Sequence, residues 1–363
     1  MVSRTVLETN FNALEHNVNI YKSFLGQSTK FCAVIKASGY GSSAIELAKF
    51  YEKIGVDYLA VAYTYEGVEL RQNGITKPIL VFNPEIDFFK ILLENNLEPA
   101  FYDFSQFEKF KKCDIDELKI HLKLDTGMHR LGFEESRINE LIQYLKSNNN
   151  IKVVSVFSHL AASEDKEMDS FTYKQIRLFE KMYDKIQPVL SNSPMRHILN
   201  SAGIIRFPEA HFDMVRLGIG MHGDDISGII SKELKAVHTL KTKIIQIKTI
   251  KPGDGIGYGI RYKKNNNRKI AIIPLGYADG LFRIFGNNNN MAWVNGTKVP
   301  FVGNVSMDTC YIDISGLDSV KTGDEVEIFG SNISLQECAR SVNTISYEIL
   351  SRIAPRVKRV YVH

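Results

Sequence analysis

Five times in the first part of the chain, an apolar run of strand character ends on a polar side chain of a type that does chemistry: Lys36, Lys123 with Asp125, His159, Asn200 with Ser201, and Arg216. The stretch at residues 31–41, FCAVIKASGYG, is the most informative. A lysine at the carboxyl end of a buried strand sits against low-dielectric walls, which disfavour its charged form and free its amine for Schiff-base chemistry. On that stretch alone, a lysine snorkelling to a rim is an equal reading. Residues 123–133, KLDTGMHRLGF, set Lys123 and Arg130 around a glycine-containing turn. A guanidinium there could clamp a carboxylate through two parallel bonds, or pair with Glu134 or Glu135 at the surface. His159 suits contact with an aromatic cofactor or acid–base work, though a lone histidine after a strand is more often structural.

NSAGI (200–204) and RLGIG (216–220) are short segments whose backbone N–H groups and hydroxyl could hold a phosphate; each also reads as an ordinary turn. Arg216 would be expensive to bury without a function or an ion pair. GYG (257–259) and LGYAD (275–279) put Tyr258 and Tyr277 between small residues, where a hydroxyl can reach a neighbouring surface or a ring can cover a hairpin.

The elements that must position these groups alternate. A helical pattern at 10–25, with Thr9 as a candidate cap and Gly26 as a stop, precedes the Lys36 strand. About eight strand-like runs then alternate with helical ones up to Gly220, and Ser42 or Ser43 can cap the helix after Lys36. That count predicts an α/β fold with a closed (β/α)8 barrel of the TIM type, whose active site lies at the strands' carboxyl ends. An open dinucleotide-binding sheet is the alternative, but no G-x-G-x-x-G follows the first strand. Beyond about Ser231, short strands and turn signals predict a mainly β domain with one late helix around residues 335–340. The expected division is 8–230 and 231–363, with residues 1–7 packing on the second domain. The length of 363 residues suits two domains.

A formal net charge of +4 and no basic run with interleaved aromatics point away from nucleic acid. No apolar span is long enough to cross a membrane, and MVSRTVLETN lacks the apolar core of a signal peptide. Four scattered cysteines, with no metal-ligand spacing, fit a reducing cytoplasm; no metal is expected.

Nine blocks in order carry a resemblance: IKASGYG, HLKLDTGMHRLGF, FSHLAASED, HILNSAG, DMVRLGIGMHG, IGYGIRY, IPLGYADG, VGNVSMD and TISYEIL followed by RVKRVY. The chain resembles the alanine racemases, pyridoxal-phosphate enzymes with an amino-terminal barrel and a carboxyl-terminal β domain, nearly end to end. The resemblance implies pyridoxal 5'-phosphate held covalently by Lys36, whose freed amine takes the α-proton of D-alanine. Tyr258 is then the base for L-alanine on the opposite face, since racemisation needs a base on each side. It implies a homodimer in which this tyrosine comes from the other subunit, and a role supplying D-alanine for peptidoglycan. Arg216 would face the pyridine nitrogen and, as a permanent donor, keep it unprotonated. His159 would pack on the ring. Tyr40, Ser201, Tyr347 and the backbone at Gly218 and Ile219 would bind the phosphate. Arg130 and the Met307 N–H would take the substrate carboxylate, Tyr277 would line the entrance, and Lys123 is a position often carbamylated.

The chain departs from the common pattern at Ser38, Gly39, Ser42, Ser43, His129, Leu217, His222 and Asn304, none of which removes a catalytic group. Two other functions stay in view. One is a racemase of a different or broader set of amino acids such as serine or lysine, because a pocket discriminates one methylene or hydroxyl by only about 1–3 kcal/mol. The other is a non-catalytic pyridoxal-phosphate carrier, whose relatives lack the β domain and its tyrosine.

Overall fold

The structure is a computed structural model and describes residues 4–85, 87–113, 115, 117–148 and 150–363. The first strand, β1 (Val6–Asn10), leads into the helix Phe11–Lys22, capped by the Asn10 side chain, which accepts from the Ala13 N–H at 3.0 Å. The cap is therefore one residue after the expected Thr9. Thr9 instead bonds His238, and the helix ends at Lys22, short of Gly26.

Eight parallel strands follow: β2 (Lys30–Val34), β3 (Tyr58–Val61), β4 (Ile79–Val81), β5 (Leu97–Phe101), β6 (Leu118–Lys123), β7 (Ile151–Phe157), β8 (Met195–His197) and β9 (Met214–Leu217). They pair in chain order from β2 to β8, and β9 pairs with β2. Backbone bonds from Asp213 N–H to Arg196 O (3.1 Å) and from Arg216 N–H to Leu199 O (3.2 Å) join β8 to β9 and complete the ring. Outside it, helices bury apolar faces. Phe89, Phe101, Phe107 and Phe110 meet largely edge to face, an arrangement that suits the ring quadrupoles. A long helix, Asp169–Ile186, precedes β8, and β8 is short because Ser201 already opens a helix, Ser201–Arg206.

The remaining strands are β10 (His238–Lys243), β11 (Gln246–Ile250), β12 (Gly255–Ile256), β13 (Tyr262–Lys263), β14 (Arg268–Ile273), β15 (Met291–Val294), β16 (Thr297–Val302), β17 (Cys310–Asp313), β18 (Glu325–Phe329) and β19 (Lys358–Val362). Except for β12 and β13, which form their own hairpin, they build one sheet in the order β11-β14-β17-β16-β15-β18-β10-β1-β19. The whole of β1, on both sides of residue 8, lies in this sheet, antiparallel to β10 and parallel to β19. Of the amino-terminal segment expected to pack here, residues 1–3 lie outside the described residues. Two late helices are present, Leu335–Ser341 and Ser346–Ser351. The second was missed because six residues are too few to display a period.

Immediately after β2 the backbone enters a left-handed turn: Ala37 (φ 54°), Ser38 (φ 53°), Gly39 (φ 63°), Tyr40 (φ 54°) and Gly41 (φ 78°). Such a conformation costs an L-residue about 1–2 kcal/mol. Neighbours hold it in place. Glu66 accepts from the N–H groups of Ala37 (2.7 Å), Ala62 (2.6 Å) and Tyr63 (3.1 Å). From the β domain, Arg359 donates to the Gly41 carbonyl at 2.7 and 3.0 Å, and the Tyr361 hydroxyl donates to that of Ser42 at 3.2 Å. Ser43 then caps the next helix, accepting from the Glu46 N–H.

At Gly41 a β-carbon would fall inside the van der Waals shell of the Leu350 carbonyl oxygen, at a φ that L-residues avoid. Gly41→Ala is expected to lower stability by about 2 kcal/mol or more. Denaturant unfolding checks this; an unchanged midpoint would show that the clasp between the turn and the helix Ser346–Ser351 is loose.

Candidate active site

The carboxyl ends of the barrel strands surround a cavity of about 530 Å3. Lys36, Tyr40, Lys123, Arg130, His159, Ser201, Arg216, Gly218 and Tyr347 all line it. Four of these are cations, and no Asp or Glu is among the described lining residues, so the chamber suits an anionic ligand.

Lys36 leaves the end of β2 half-buried, aimed by the left-handed turn. Burial lowers its pKa, Arg130 lowers it further, and Glu66 opposes both. The same causes act more strongly on Lys123. Burial, then Arg130, Arg216 and Lys36, outweigh Asp125 and lower its pKa to about 8. Its ammonium stands 5.8 Å from the Phe157 ring centroid. Arg130 forms neither of the surface pairs considered for it: Glu135 bonds Lys181, and the Arg130 guanidinium has no hydrogen bond or ion pair to a described residue. It stays available to a ligand.

Arg216, only 3% exposed, is met by neutral acceptors: His197 Nδ1 (2.5 Å), the Ser158 carbonyl (2.7 Å), His159 Nδ1 (3.1 Å) and the Ile198 carbonyl (3.1 Å). A guanidinium has only donors, so both histidines present a bare Nδ1 to it and carry their proton on Nε2. Burial and the surrounding cations hold His159 neutral, its pKa well below the ordinary value.

At the other side, Ser201 Oγ accepts from the N–H groups of Gly218 (3.2 Å) and Gly220 (3.4 Å). Tyr40 stacks obliquely between Tyr347 (5.9 Å) and His222 (4.7 Å). A side chain at residue 218 would collide with the Tyr40 hydroxyl. Ile219 opens the turn Ile219–His222 next to Gly218, its side chain buried; unlike Gly218, it does not line the cavity.

Three of the expected residues are elsewhere. Tyr258 (73% exposed), Met307 (53%) and Tyr277 (41%) lie on the β domain, outside the cavity. Tyr258 and Met307 line a separate shallow depression, and the Tyr277 and Ala278 N–H groups bond the Ser306 and Met307 carbonyls at 3.0 Å. Tyr258 stands between β12 and β13, its carbonyl held by the Asn304 amide at 2.7 Å. Arg356 ties Asp279 (2.6 Å) to Asp308 (2.8 Å), which lines the same depression.

Glu66 was not anticipated. An acidic residue in the first turn of a helix reads as a cap, and only the fold reveals that its carboxylate also holds the Ala37 N–H. Phe157 was missed as well; it stacks on His197 at 5.0 Å beneath the cavity.

The depressed Lys123 pKa has a stability consequence. Below pH 8 the folded and unfolded chains both carry the proton, so the fold bears the whole penalty. Between about 8 and the ordinary 10.5 the folded state releases its proton first, and the penalty fades as pH rises. Lys123→Met, in cofactor-free and bicarbonate-free buffer, is expected to raise stability at pH 7 by roughly 1–3 kcal/mol, with the gain shrinking toward pH 10. Melting curves of both proteins across that range check it; a gain independent of pH would remove the lysine charge as its cause.

The comparisons with known proteins bear on both domains. The family models described as alanine racemase, N-terminal domain, and alanine racemase, C-terminal domain, match residues 9–225 and 237–361. The chain is 36% identical to the alanine racemase of Halothermothrix orenii, over 98% of this chain and 96% of that one. It is 34% identical to that of Methanococcus maripaludis over the full length of both. Among solved structures it superposes on an alanine racemase of Clostridium difficile with a TM-score of 0.92, at 36% identity over 99% of this chain and 96% of that one. The alanine racemase of Bacillus anthracis with bound L-Ala-P gives a TM-score of 0.93, at 30% identity over 100% of this chain and 96% of that one. With both halves matched and the barrel and sheet in the same arrangement, the chain belongs to the alanine racemase family and is an amino-acid racemase.

Proposed function

We propose that this protein interconverts L- and D-alanine with pyridoxal 5'-phosphate, using two bases contributed by the two subunits of a homodimer. The observation that carries the reading is the separation of the two candidate bases. Lys36 lies in the cavity with its pKa lowered, while Tyr258 stands exposed at a hairpin tip outside it. A second copy that seats its β domain over the barrel mouth would bring them together, an isologous arrangement that forms two equivalent sites.

The cavity residues fit the cofactor. The Ser201 hydroxyl, the backbone at Gly218 and Ile219, and the Tyr40 and Tyr347 hydroxyls offer donors for a phosphate. Arg216 would donate to the ring nitrogen without giving up a proton. When bound, pyridoxal phosphate supplies an electron sink conjugated to the substrate α-carbon, which acidifies the α-proton. The protein supplies the rest. The Lys36 amine holds the cofactor and then takes the proton on one face of the α-carbon. The Tyr258 hydroxyl of the second subunit delivers a proton on the other, and the roles reverse in the opposite direction. Arg130, without a hydrogen bond or ion pair among the described residues, and the Met307 N–H of the second subunit would take the carboxylate, with that subunit's Tyr277 at the entrance. His159, whose Nε2 carries its proton, would lie against the ring and donate toward Tyr258. Lys123, with an appreciable neutral fraction near pH 8, is suited to carbamylation, which would turn it into an anion facing Arg130.

The barrel would comprise residues 8–230 and the β domain 231–363. A role in making D-alanine for peptidoglycan follows from the family. A cytoplasmic setting is supported by the four unpaired cysteines; among the described residues no helix is long and apolar enough to cross a membrane.

Incubating the cofactor-loaded protein with L-alanine in heavy water should yield D-alanine deuterated at the α-carbon. Cofactor binding without any exchange would overturn the assignment. Tyr258→Phe should keep cofactor binding and lose racemisation by about 10²–10⁴-fold. Mixing inactive Lys36→Ala and Tyr258→Phe proteins and letting subunits exchange should restore about a quarter of the parental activity, since half the dimers gain one intact site. No recovery despite exchange would place both bases in one subunit.

A further inference from the structure

The interior of a (β/α)8 barrel is ordinarily filled by branched apolar side chains. Here β2, β3 and β4 contribute the apolar Cys32, Ala60 and Leu80, with Tyr58 of β3 the one hydroxyl among them that reaches Glu98. The next five strands differ. Each contributes a buried polar residue to one network: Glu98 from β5, His121 from β6, Ser155 from β7, His197 from β8 and Arg216 from β9. They form an unbroken hydrogen-bonded chain. Arg216 meets His197 Nδ1 at 2.5 Å, and His197 Nε2 meets Ser155 Oγ at 2.8 Å. Ser155 Oγ meets His121 Nδ1 at 2.5 Å, and His121 Nε2 meets Glu98 Oε2 at 2.9 Å. The Tyr58 hydroxyl donates to the same carboxylate.

With one proton on each imidazole, the two ends determine the direction of every link. Arg216 can only donate, so His197 accepts on Nδ1 and donates from Nε2 to Ser155. Ionised Glu98 can only accept, so His121 donates to it from Nε2 and accepts on Nδ1 from the Ser155 hydroxyl. All four bonds then point the same way, and aligned bonds polarise one another in a low-dielectric interior. Although burial raises the Glu98 pKa, the interaction with His121, the Lys119 charge and the bond from Tyr58 together outweigh it and keep the group ionised. His197 is held neutral by burial and by Arg216.

We infer that Glu98, on the strand four places around the barrel from Arg216, is a positioning residue for that guanidinium, acting through His121, Ser155 and His197. By fixing both imidazole tautomers, it keeps His197 as a hydrogen-bond acceptor facing Arg216 and holds the guanidinium in one orientation under the cavity. The consequence for racemisation rests on the function proposed above; the tautomer arrangement does not.

The test uses Glu98→Gln, which keeps an acceptor, Glu98→Leu, which removes it, and Ser155→Ala, which cuts the chain while leaving both end pairs in place. In nitrogen-15 spectra of histidine-labelled, cofactor-free full-length protein, the parent and Glu98→Gln should show His121 and His197 protonated on Nε2. Glu98→Leu should shift His121 to a mixture of tautomers and move the His197 N–H resonance, two links away. With the cofactor bound, Ser155→Ala and Glu98→Leu should lower kcat for alanine about tenfold with KM changed less than twofold, and Glu98→Gln should stay near the parent. An unmoved His197 resonance in Glu98→Leu, or parental kcat in Ser155→Ala, would overturn the inference. If Glu98→Leu does not fold, parental kcat in Ser155→Ala overturns it and a selective loss of kcat supports it. A parent protein without racemase activity would sink the proposed function instead, leaving the spectra to decide this one.

Discussion

Four cations around one chamber, with no acidic side chain on its described wall, form the constraint to which much of the structure responds. Lys123 and Arg216 are buried and Lys36 partly so, and each cation raises the cost of charging the next. The responses differ by residue type. The two lysines yield by becoming easier to deprotonate, which is what an amine needs in order to act as a nucleophile or a base. His159 yields by remaining neutral. Arg216 stays a cation at neutral pH, its pKa lowered only to about 10, and so must be surrounded by acceptors. Two imidazoles and two backbone carbonyls fill that role.

The β domain does more than cover the barrel. Its last strand, β19, pairs with β1 and sends Arg359 and Tyr361 to the carbonyls of Gly41 and Ser42. The helix Ser346–Ser351 packs on the same turn and brings Tyr347 into the cavity. Left-handed geometry at Ala37, Ser38 and Tyr40 would not persist without such restraints. The Lys36 amine at the end of β2 is therefore aimed by groups from the barrel (Glu66) and from the chain's far end. The same domain presents Tyr258 away from its own cavity, as a site completed by a second copy would require.

Much of this was legible in the residues. Apolar runs ending in Lys36, Lys123, His159 and Arg216 announced parallel strands and marked their carboxyl rim, because a strand buried on both faces tolerates polar groups only where it ends. The change of texture after Ser231 announced the second sheet. A local signal misled at Thr9, where the neighbouring Asn10 is the cap.

The sequence by itself determined which chemical groups are present, the strand and helix periods that carry most of them, and the family to which their order belongs. These are local properties, written in side-chain type and spacing. Only the tertiary structure decided that Glu66 holds the turn after Lys36, that Tyr258 and Met307 lie outside the cavity, and that five strands in succession line the barrel with a single hydrogen-bonded chain. Such contacts join residues far apart along the chain, and nothing in the spacing of Glu98, His121, Ser155, His197 and Arg216 makes them neighbours until the barrel closes.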